Sequence, residues 1–285
     1  MKNILLPTDF SENALNAIHY AMSFYQYEPC KFYLLNVQKV SSFVTDDLMA
    51  MRPSDTLFNS LIDASMKRLE ILITELEEQY ANVLHEFEPK VDYDNFIDAI
   101  QQVVNKNQID MIVMGTRGAS IIGKKLFGSH TVSVFQRCSC PVLAIPNDYN
   151  YRTIKTVAFT SNYYTAYNSE DLLPLINLVE HHNYDVHIIH VKEAERLSEY
   201  QENNRAFLDS CFSNVNHSFI MLEEERLFDA VTNYMTANNI DLLAMMSRKH
   251  SFLERLFITH PAESFAFNLK VPLLVMENTG DFYLK

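Results

Sequence analysis

Apolar residues in the first half of the chain follow two alternating patterns, short continuous runs and stripes with helical spacing. The runs predict five buried strands, at residues 3–7, 32–37, 83–87, 110–114 and 142–146. The stripes predict three helices, at residues 11–25, 54–80 and 95–105. Strands that alternate with helices in this way are typical of an open, mostly parallel sheet with helices on both faces.

The second half of the chain repeats the first. Residues 2–10 correspond to residues 155–163, and residues 32–37 correspond to residues 186–191. Residues 114–141 align without a gap on residues 245–272, and each copy then closes with a short apolar strand. We therefore predict two tandem α/β domains, at 1–147 and 152–285, joined by a polar linker.

Composition favours a cytoplasmic protein that has neither a membrane nor a nucleic-acid partner. The net charge of −13 argues against a basic face for nucleic acid. No apolar run reaches the length of about 18 residues that a membrane helix needs. The N-terminus enters a strand without a basic segment or cleavage site, so we expect no signal peptide. The four cysteines form no CxxC pair, which favours free thiols in a reducing compartment.

One stretch departs from the acidic composition. Residues 111–147 contain no Asp or Glu, but they include four basic residues: Arg117, Lys124, Lys125 and Arg137. Four of the chain's five glycines also fall here, at Gly115, Gly118, Gly123 and Gly128. Clustered glycines let the backbone approach a ligand closely, and a glycine loop between a parallel strand and a helix is typical of phosphate binding. The stretch therefore predicts an anion site.

The second copy lacks this motif. Its residues at the positions of Gly115, Gly118, Gly128, Ser129 and Asp9 are Met246, Lys249, Thr259, His260 and Asn162. These side chains occupy positions at which the glycines of the first half would let the backbone approach a phosphate. We therefore expect the second half to keep the fold without the site, and a single site in the first half.

The spacing Gly115-x2-Gly118-x9-Gly128-Ser129 resembles the motif of the universal stress protein family. Two further segments share the resemblance, PTDFS at residues 7–11 and CPV at residues 140–142. The resemblance implies two Rossmann-like domains of the adenine nucleotide alpha hydrolase-like type, each with a five-stranded sheet. It also implies that the domains pair through their last strands, Val142 to Ile145 with Leu273 to Met276, as an internal pseudo-dimer. Association of two whole chains as a homodimer is left open.

The resemblance further implies an ATP site, with Mg²⁺ as an accompanying ion and AMP or ADP as alternative ligands. Thr8 and Asp9 would lie beside adenine and ribose, and the backbone of Val37 beside the adenine edge. Gly128, Ser129 and Thr131 would hold the outer phosphates, since they open a helix and carry hydroxyls. The full set of implied nucleotide-binding residues is Pro7, Thr8, Asp9, Val37, Met114, Gly115, Arg117, Gly118, Gly128, Ser129, His130 and Thr131.

Three functions remain open from the sequence. The leading one is a cytoplasmic stress-response protein that binds ATP and acts by regulation rather than turnover. The second is an interaction scaffold that binds no nucleotide, and the third is a slow ATPase in which His130 would act as a base. Asp9 could bind the ligand or cap the following helix. We expect no metal site, because His187 and His190 lie three apart on a strand and point to opposite faces.

Overall fold

The computed structural model describes residues 1–38, 55–93, 95–116, 128–164, 166–191, 196–223, 227–247 and 270–279. Strands and helices alternate through both halves. The elements of the first half are β1 (Lys2–Pro7), α1 (Glu12–Phe24), β2 (Cys30–Val37), α2 (Asp55–Tyr80), β3 (His85–Asp92), α3 (Phe96–Asn107), β4 (Met111–Gly115), α4 (Ser129–Arg137) and β5 (Val142–Ile145). The elements of the second half are β6 (Thr156–Thr160), α5 (Ser169–His182), β7 (Asp185–Val191), α6 (Glu199–Cys211), β8 (His217–Leu222), α7 (Leu227–Ala237), β9 (Leu242–Ser247) and β10 (Leu273–Glu277).

The ten strands form one continuous sheet in the order β3-β2-β1-β4-β5-β10-β9-β6-β7-β8. Within each half all pairings are parallel, which agrees with the predicted α/β class. The two halves join through β5 and β10, which run antiparallel with Leu273 opposite Ala144 and Val275 opposite Val142. The closing strands of the two halves are therefore direct neighbours.

Side chains that alternate along the strands form two apolar cores, one on each face of the sheet. In β1, Ile4 and Leu6 belong to one core and Leu5 to the other. Helices α1, α2, α5 and α6 pack on the first face, and α3, α4 and α7 pack on the second. The core on each face extends through both halves, so the junction between β5 and β10 is itself buried.

Polar side chains set where the first helices begin. The Ser11 hydroxyl accepts a hydrogen bond from the Ala14 N–H at 3.3 Å, and the Asn95 side chain accepts one from the Ile97 N–H at 3.0 Å. Each satisfies a donor that the first turn of its helix leaves unpaired. Helix α1 is therefore capped by Ser11, and the prediction that Asp9 might cap it is wrong.

The third strand lies two residues later than predicted and is longer. The Asn82 side chain accepts the Leu84 N–H at 3.0 Å and closes a turn before it, which leaves Val83 exposed outside the strand. β3 occupies the edge of the sheet, and its sequence HEFEPKVD alternates apolar with charged residues. An edge strand needs little continuous apolar sequence, so an apolar run was a poor marker for it.

The described part of the chain contains no helix that is long and apolar enough to span a bilayer. Cys30, Cys138, Cys140 and Cys211 are all free thiols, as predicted from their spacing. Burial raises the pKa of Cys30 to about 12 and that of Cys138 to about 11. Both groups are therefore protonated at neutral pH and are poor nucleophiles.

Candidate functional site

A tight turn follows β1 and contains the predicted residues Thr8 and Asp9. The Thr8 N–H donates to the Leu35 carbonyl at 2.8 Å, which extends the pairing with β2 by one residue. The Thr8 hydroxyl oxygen accepts the Phe10 N–H at 3.0 Å, and the Asp9 carboxylate accepts the Ser11 N–H at 3.0 Å. Phe10 has a φ of 60°, a left-handed conformation that this turn imposes. Thr8 is buried, whereas Asp9 is exposed at the end of the strand.

The second half builds the same turn after β6. The Ser161 hydroxyl accepts the Tyr163 N–H at 3.1 Å, the Asn162 side chain accepts the Tyr164 N–H at 3.1 Å, and Tyr163 has a φ of 58°. An amide oxygen thus performs in one half the backbone role that the Asp9 carboxylate performs in the other. The turn therefore does not require the negative charge of Asp9.

Each turn is also held by a side chain from the neighbouring strand. The Asn36 amide donates to the Thr8 carbonyl at 2.7 Å. His190 occupies the equivalent position, where its Nδ1 lies 3.1 Å from the Ser161 carbonyl and its ring stacks on Tyr163. His187 lies on the opposite face of β7, with its Nδ1 2.9 Å from the Tyr234 hydroxyl, so the two histidines share no site, as predicted.

Helix α4 begins at the predicted phosphate motif. Gly128 is its N-cap and offers no side-chain acceptor to the first turn, which also contains no acidic residue. The Gly128 N–H donates to the Thr116 carbonyl at 2.7 Å, so the loop end is tied to the end of β4. Ser129 and His130 are exposed at the start of the helix. The N–H groups of this first turn and the helix dipole favour a negative charge there.

Thr131 has a different role from the one implied by the family resemblance. Its side chain is buried, and its hydroxyl lies 3.1 Å from the Gly115 carbonyl and 3.3 Å from the Thr116 carbonyl. A hydroxyl has one proton to donate, and here it is directed at the end of β4 rather than outward. Thr131 therefore fastens α4 to the sheet, which corrects the expectation that it donates to a phosphate.

Gly115 is required by helix packing. A Cβ atom at this position would lie 2.5 Å from Asn13 Nδ2 and 2.8 Å from the Asn13 carbonyl oxygen, both closer than real contacts. Helix α1 lies directly across β4, which creates this close approach. The glycine cluster predicts a close approach of the backbone to a ligand. For Gly115 the neighbour is instead a helix of the same half.

The second half shows why Met246 can occupy the equivalent position. Residues 8–11 connect β1 to α1, whereas residues 161–168, twice as many, connect β6 to α5. Helix α5 packs against β10, one strand further along. The space above the end of β9 is therefore open to the Met246 side chain, which is buried there.

Met114 and Pro7 contribute to the core rather than to an open surface. Both are buried, and the Met114 side chain belongs to the apolar core beneath α3 and α4. Only their backbone atoms remain for a ligand. The predicted site residues Arg117 and Gly118 lie outside the described residues.

A cleft of about 350 Å³ opens between β2, α3 and α4. Three predicted site residues line it, Val37, Ser129 and His130. The other five lie outside the nucleotide-binding set that the family resemblance implies: Asn95, Phe96, Ile97, Ser133 and Arg137. Of the other site residues that the structure describes, Thr8, Asp9, Gly115 and Gly128 are not among its walls. The spacing of Ser129, Ser133 and Arg137, each four apart on α4, is a signal that could have identified this wall.

Three features of the cleft favour an anion, although Asp98 in the first turn of α3 offsets part of that helix's contribution. Helices α3 and α4 both begin at it, and Arg137 supplies a full charge at its far end. The Gln101 side chain holds the end of α4 through a 2.8 Å hydrogen bond to the Arg137 carbonyl. The His130 ring stacks on Phe96 with centroids 4.3 Å apart and planes inclined by 14°, which forms one aromatic wall.

The chain matches the sequence model of the Universal stress protein family over residues 1–146. It belongs to this family. Two curated universal stress proteins of Methanocaldococcus jannaschii are similar to it. MJ0531 is 26% identical over 145 residues, covering 50% of this chain and 81% of that protein. MJ0577 is 24% identical over 156 residues, covering 50% of this chain and 94% of that protein.

Two solved structures match this universal stress protein over nearly its whole length. One, a universal stress protein from Archaeoglobus fulgidus, has a TM-score of 0.66 at 20% identity and covers 98% of this chain and 97% of that chain. The other, PA1789 from Pseudomonas aeruginosa, has a TM-score of 0.53 at 14% identity and covers 98% of this chain and 93% of that chain. At these identities the likeness establishes the fold.

Proposed function

We propose that this universal stress protein binds an adenine nucleotide, with ATP as the expected ligand, in the first half of the chain. The observation that carries the proposal is the start of α4, which has no side-chain cap and faces the cleft. Arg137, at the other end of the helix, lines the same cleft. A volume of about 350 Å³ lies within the range of small-molecule sites. A second helix, α3, also begins at this cleft, and Asp98 in its first turn offsets part of the attraction of its N–H groups for an anion.

The phosphates are assigned to the α4 side of the cleft. The Ser129 and His130 N–H groups and the Ser129 hydroxyl supply donors, and Ser133 and Arg137 continue the row along the helix. Residues 111–147 contain no acidic side chain that could hold a metal ion or repel phosphate. A Mg²⁺ ion would therefore be bound through the ATP phosphates.

The nucleoside is assigned to the carboxyl ends of β1 and β2. Val37 ends β2 and lines the cleft, and the Thr8–Asp9 turn ends the adjacent strand. The turn leaves Asp9 exposed, and the second half shows that an amide suffices for its backbone bond. We infer that the exposed Asp9 carboxylate also accepts a hydrogen bond from a ligand hydroxyl such as those of ribose.

The internal duplication supplies a matched test of this assignment. Asp9→Asn removes the charge but keeps the turn, since Asn162 makes the same bond in the second half. The reciprocal change, Asn162→Asp, introduces the charge in the half that lacks the motif. Loss of a charged hydrogen bond costs about 1.5–3 kcal/mol, so Asp9→Asn should raise the Kd for ATP roughly 10- to 150-fold. Asn162→Asp should leave it unchanged.

Isothermal titration of the full chain with ATP measures both effects, with Gly118→Lys as a variant that blocks the glycine loop. We expect one ATP per chain for the unmodified protein. Equal ATP affinity in all variants would show that ATP does not bind beside Asp9 and the glycine loop. No saturable binding below about 1 mM would refute nucleotide binding itself.

A second function, a scaffold that works without nucleotide, is favoured by one observation. The second half forms the same turn and the same strand order without the glycine motif. Folding of the unit is thus independent of a ligand. Mass spectrometry of the denatured purified protein distinguishes the two functions: a co-purified adenine nucleotide supports binding, and its absence together with failed titration supports the scaffold.

A further inference from the structure

Three side chains from the two halves meet on the surface of the molecule. Glu28 lies between α1 and β2, and His181 and His182 form the last turn of α5. One ligand atom from each, a carboxylate oxygen and two ring nitrogens, lie within 4.8 Å of one another. No other such group of three occurs in the part of the chain that the structure describes.

Glu28 has an oxygen that the protein leaves unsatisfied. Its Oε2 is 2.6 Å from Lys2 Nζ, but its Oε1 is buried and has no hydrogen-bond partner. His182 Nε2 lies 3.6 Å from Oε1, which exceeds hydrogen-bond distance. A buried carboxylate oxygen without a partner is destabilising. A group that binds this oxygen would therefore be stabilising.

Aromatic contacts orient both histidine rings beside Glu28. The His182 ring stacks on Tyr184, with centroids 5.1 Å apart and planes inclined by 12°, and the His181 ring meets it edge-on at 4.7 Å. Neutral imidazole is the form that coordinates metal.

We propose that Glu28, His181 and His182 bind a divalent transition-metal ion of the zinc class and so link the two halves of the chain. Two imidazoles and one carboxylate form a donor set that zinc accepts, with water in the fourth position. Ligand bonds of about 2.0–2.2 Å require the three atoms to close by about 1 Å, which the exposed His181 side chain can supply by rotation. The expectation of no metal site rests on His187 and His190 alone. The proximity of Glu28 to the end of α5 is a tertiary relation that local spacing does not show.

Lys2 opposes the cation, since its ammonium competes for the same carboxylate. Its side chain is 46% exposed, so it can turn toward solvent when a metal binds. Its charge should nonetheless weaken the site. Lys2→Gln is therefore expected to tighten metal binding, an effect that a merely structural role for the cluster would not produce.

Titration of the metal-free full chain with Zn²⁺, and with Co²⁺ followed by visible absorption, tests the site. We expect one ion per chain and a tetrahedral Co²⁺ spectrum. Glu28→Gln and His181→Ala should each weaken binding by at least about tenfold. His187→Ala, which removes a histidine elsewhere in the same half, should leave the affinity unchanged. His181 is exposed, so its replacement leaves the core intact.

Three results would overturn the assignment: no binding up to about 1 mM Zn²⁺, binding that survives both ligand substitutions, or an equal loss with His187→Ala. Thermal melts give a second readout. Zn²⁺ should raise the melting temperature of the unmodified protein and of Asp9→Asn, but not that of Glu28→Gln. Asp9→Asn alters the proposed nucleotide site but keeps all three proposed metal ligands. The metal test therefore stands whether or not the protein binds a nucleotide.

Discussion

Substituting Gly115 by alanine tests whether this glycine is kept for the fold or for a ligand. The added Cβ would lie 2.5 Å from Asn13 Nδ2, 2.8 Å from Asn13 Cγ and 2.8 Å from the Asn13 carbonyl oxygen. The amide can rotate away, but the carbonyl belongs to α1, so the helix must shift relative to β4. Overpacking of this kind costs about 1–3 kcal/mol, and alanine regains about 0.4–1 kcal/mol by stiffening the unfolded chain. We expect a net loss of about 1–2 kcal/mol in the free energy of unfolding.

Urea unfolding of the full chain and titration with ATP, both on the same preparation, separate the two explanations. Gly115→Ala should lower the urea midpoint and change the ATP affinity by less than about threefold. Adding Asn13→Ala removes the two side-chain contacts and leaves only the carbonyl contact. The double variant should therefore recover part of the lost stability, and the coupling between the two changes measures the packing contribution.

The opposite pattern would refute this reasoning. If Gly115→Ala leaves the urea midpoint unchanged and weakens ATP binding more than about tenfold, the glycine serves the ligand. A double variant no more stable than Gly115→Ala would show that Asn13 is not the obstructing side chain.

Three further predictions concern single contacts. Thr131→Val should lower the free energy of unfolding in urea by about 1–2 kcal/mol, because the Thr131 hydroxyl binds the end of β4. The same variant should change the ATP affinity by less than about twofold. Unchanged stability together with weaker ATP binding would show that the hydroxyl contacts the ligand. Arg137→Gln should weaken ATP binding about fivefold and reduce its salt dependence, which titration at two salt concentrations measures; equal salt dependence would remove Arg137 from the site. Burial tends to lower the pKa of His217, but its bonds to Asp209 and the Val215 carbonyl raise the pKa above the ordinary value. The pair should therefore stabilise the fold below about pH 6.5 and lose that effect as the pH rises through the raised pKa. Asp209→Asn should lower the free energy of unfolding by about 0.2–1 kcal/mol in melts near pH 5.5 and leave it unchanged near pH 8.5. An equal loss at both pH values would contradict this sign.

The central strands were predictable because they are buried on both faces. β1, β2 and β4 read as continuous apolar runs, and their observed bounds differ from the predicted ones by two residues or fewer. The edge strand β3 alternates charged and apolar residues, so its extent depended on pairing with β2, which the sequence alone does not display. Local pattern therefore predicts a strand best where burial is complete.

The site was predictable in part for a similar reason. The start of α4 at Gly128 and Ser129 follows from local chemistry, because glycine and hydroxyl residues favour such a helix start. The role of Gly115 depends instead on where α1 crosses the sheet, which is set by the length of the preceding connection. The cleft wall formed by Phe96 and Ser133 requires two helices separated by β4. Such tertiary relations cannot be inferred from spacing within one segment.

The antiparallel contact between β5 and β10 has a consequence for assembly. Both strands belong to one polypeptide, so this interface forms in a unimolecular step and its occupancy does not depend on dilution. This contact by itself therefore gives the unfolding midpoint no dependence on protein concentration, unlike the interface of an obligate dimer. The linkage also fixes the two halves at a ratio of one to one. Each half can therefore accumulate its own substitutions while its neighbour continues to support it.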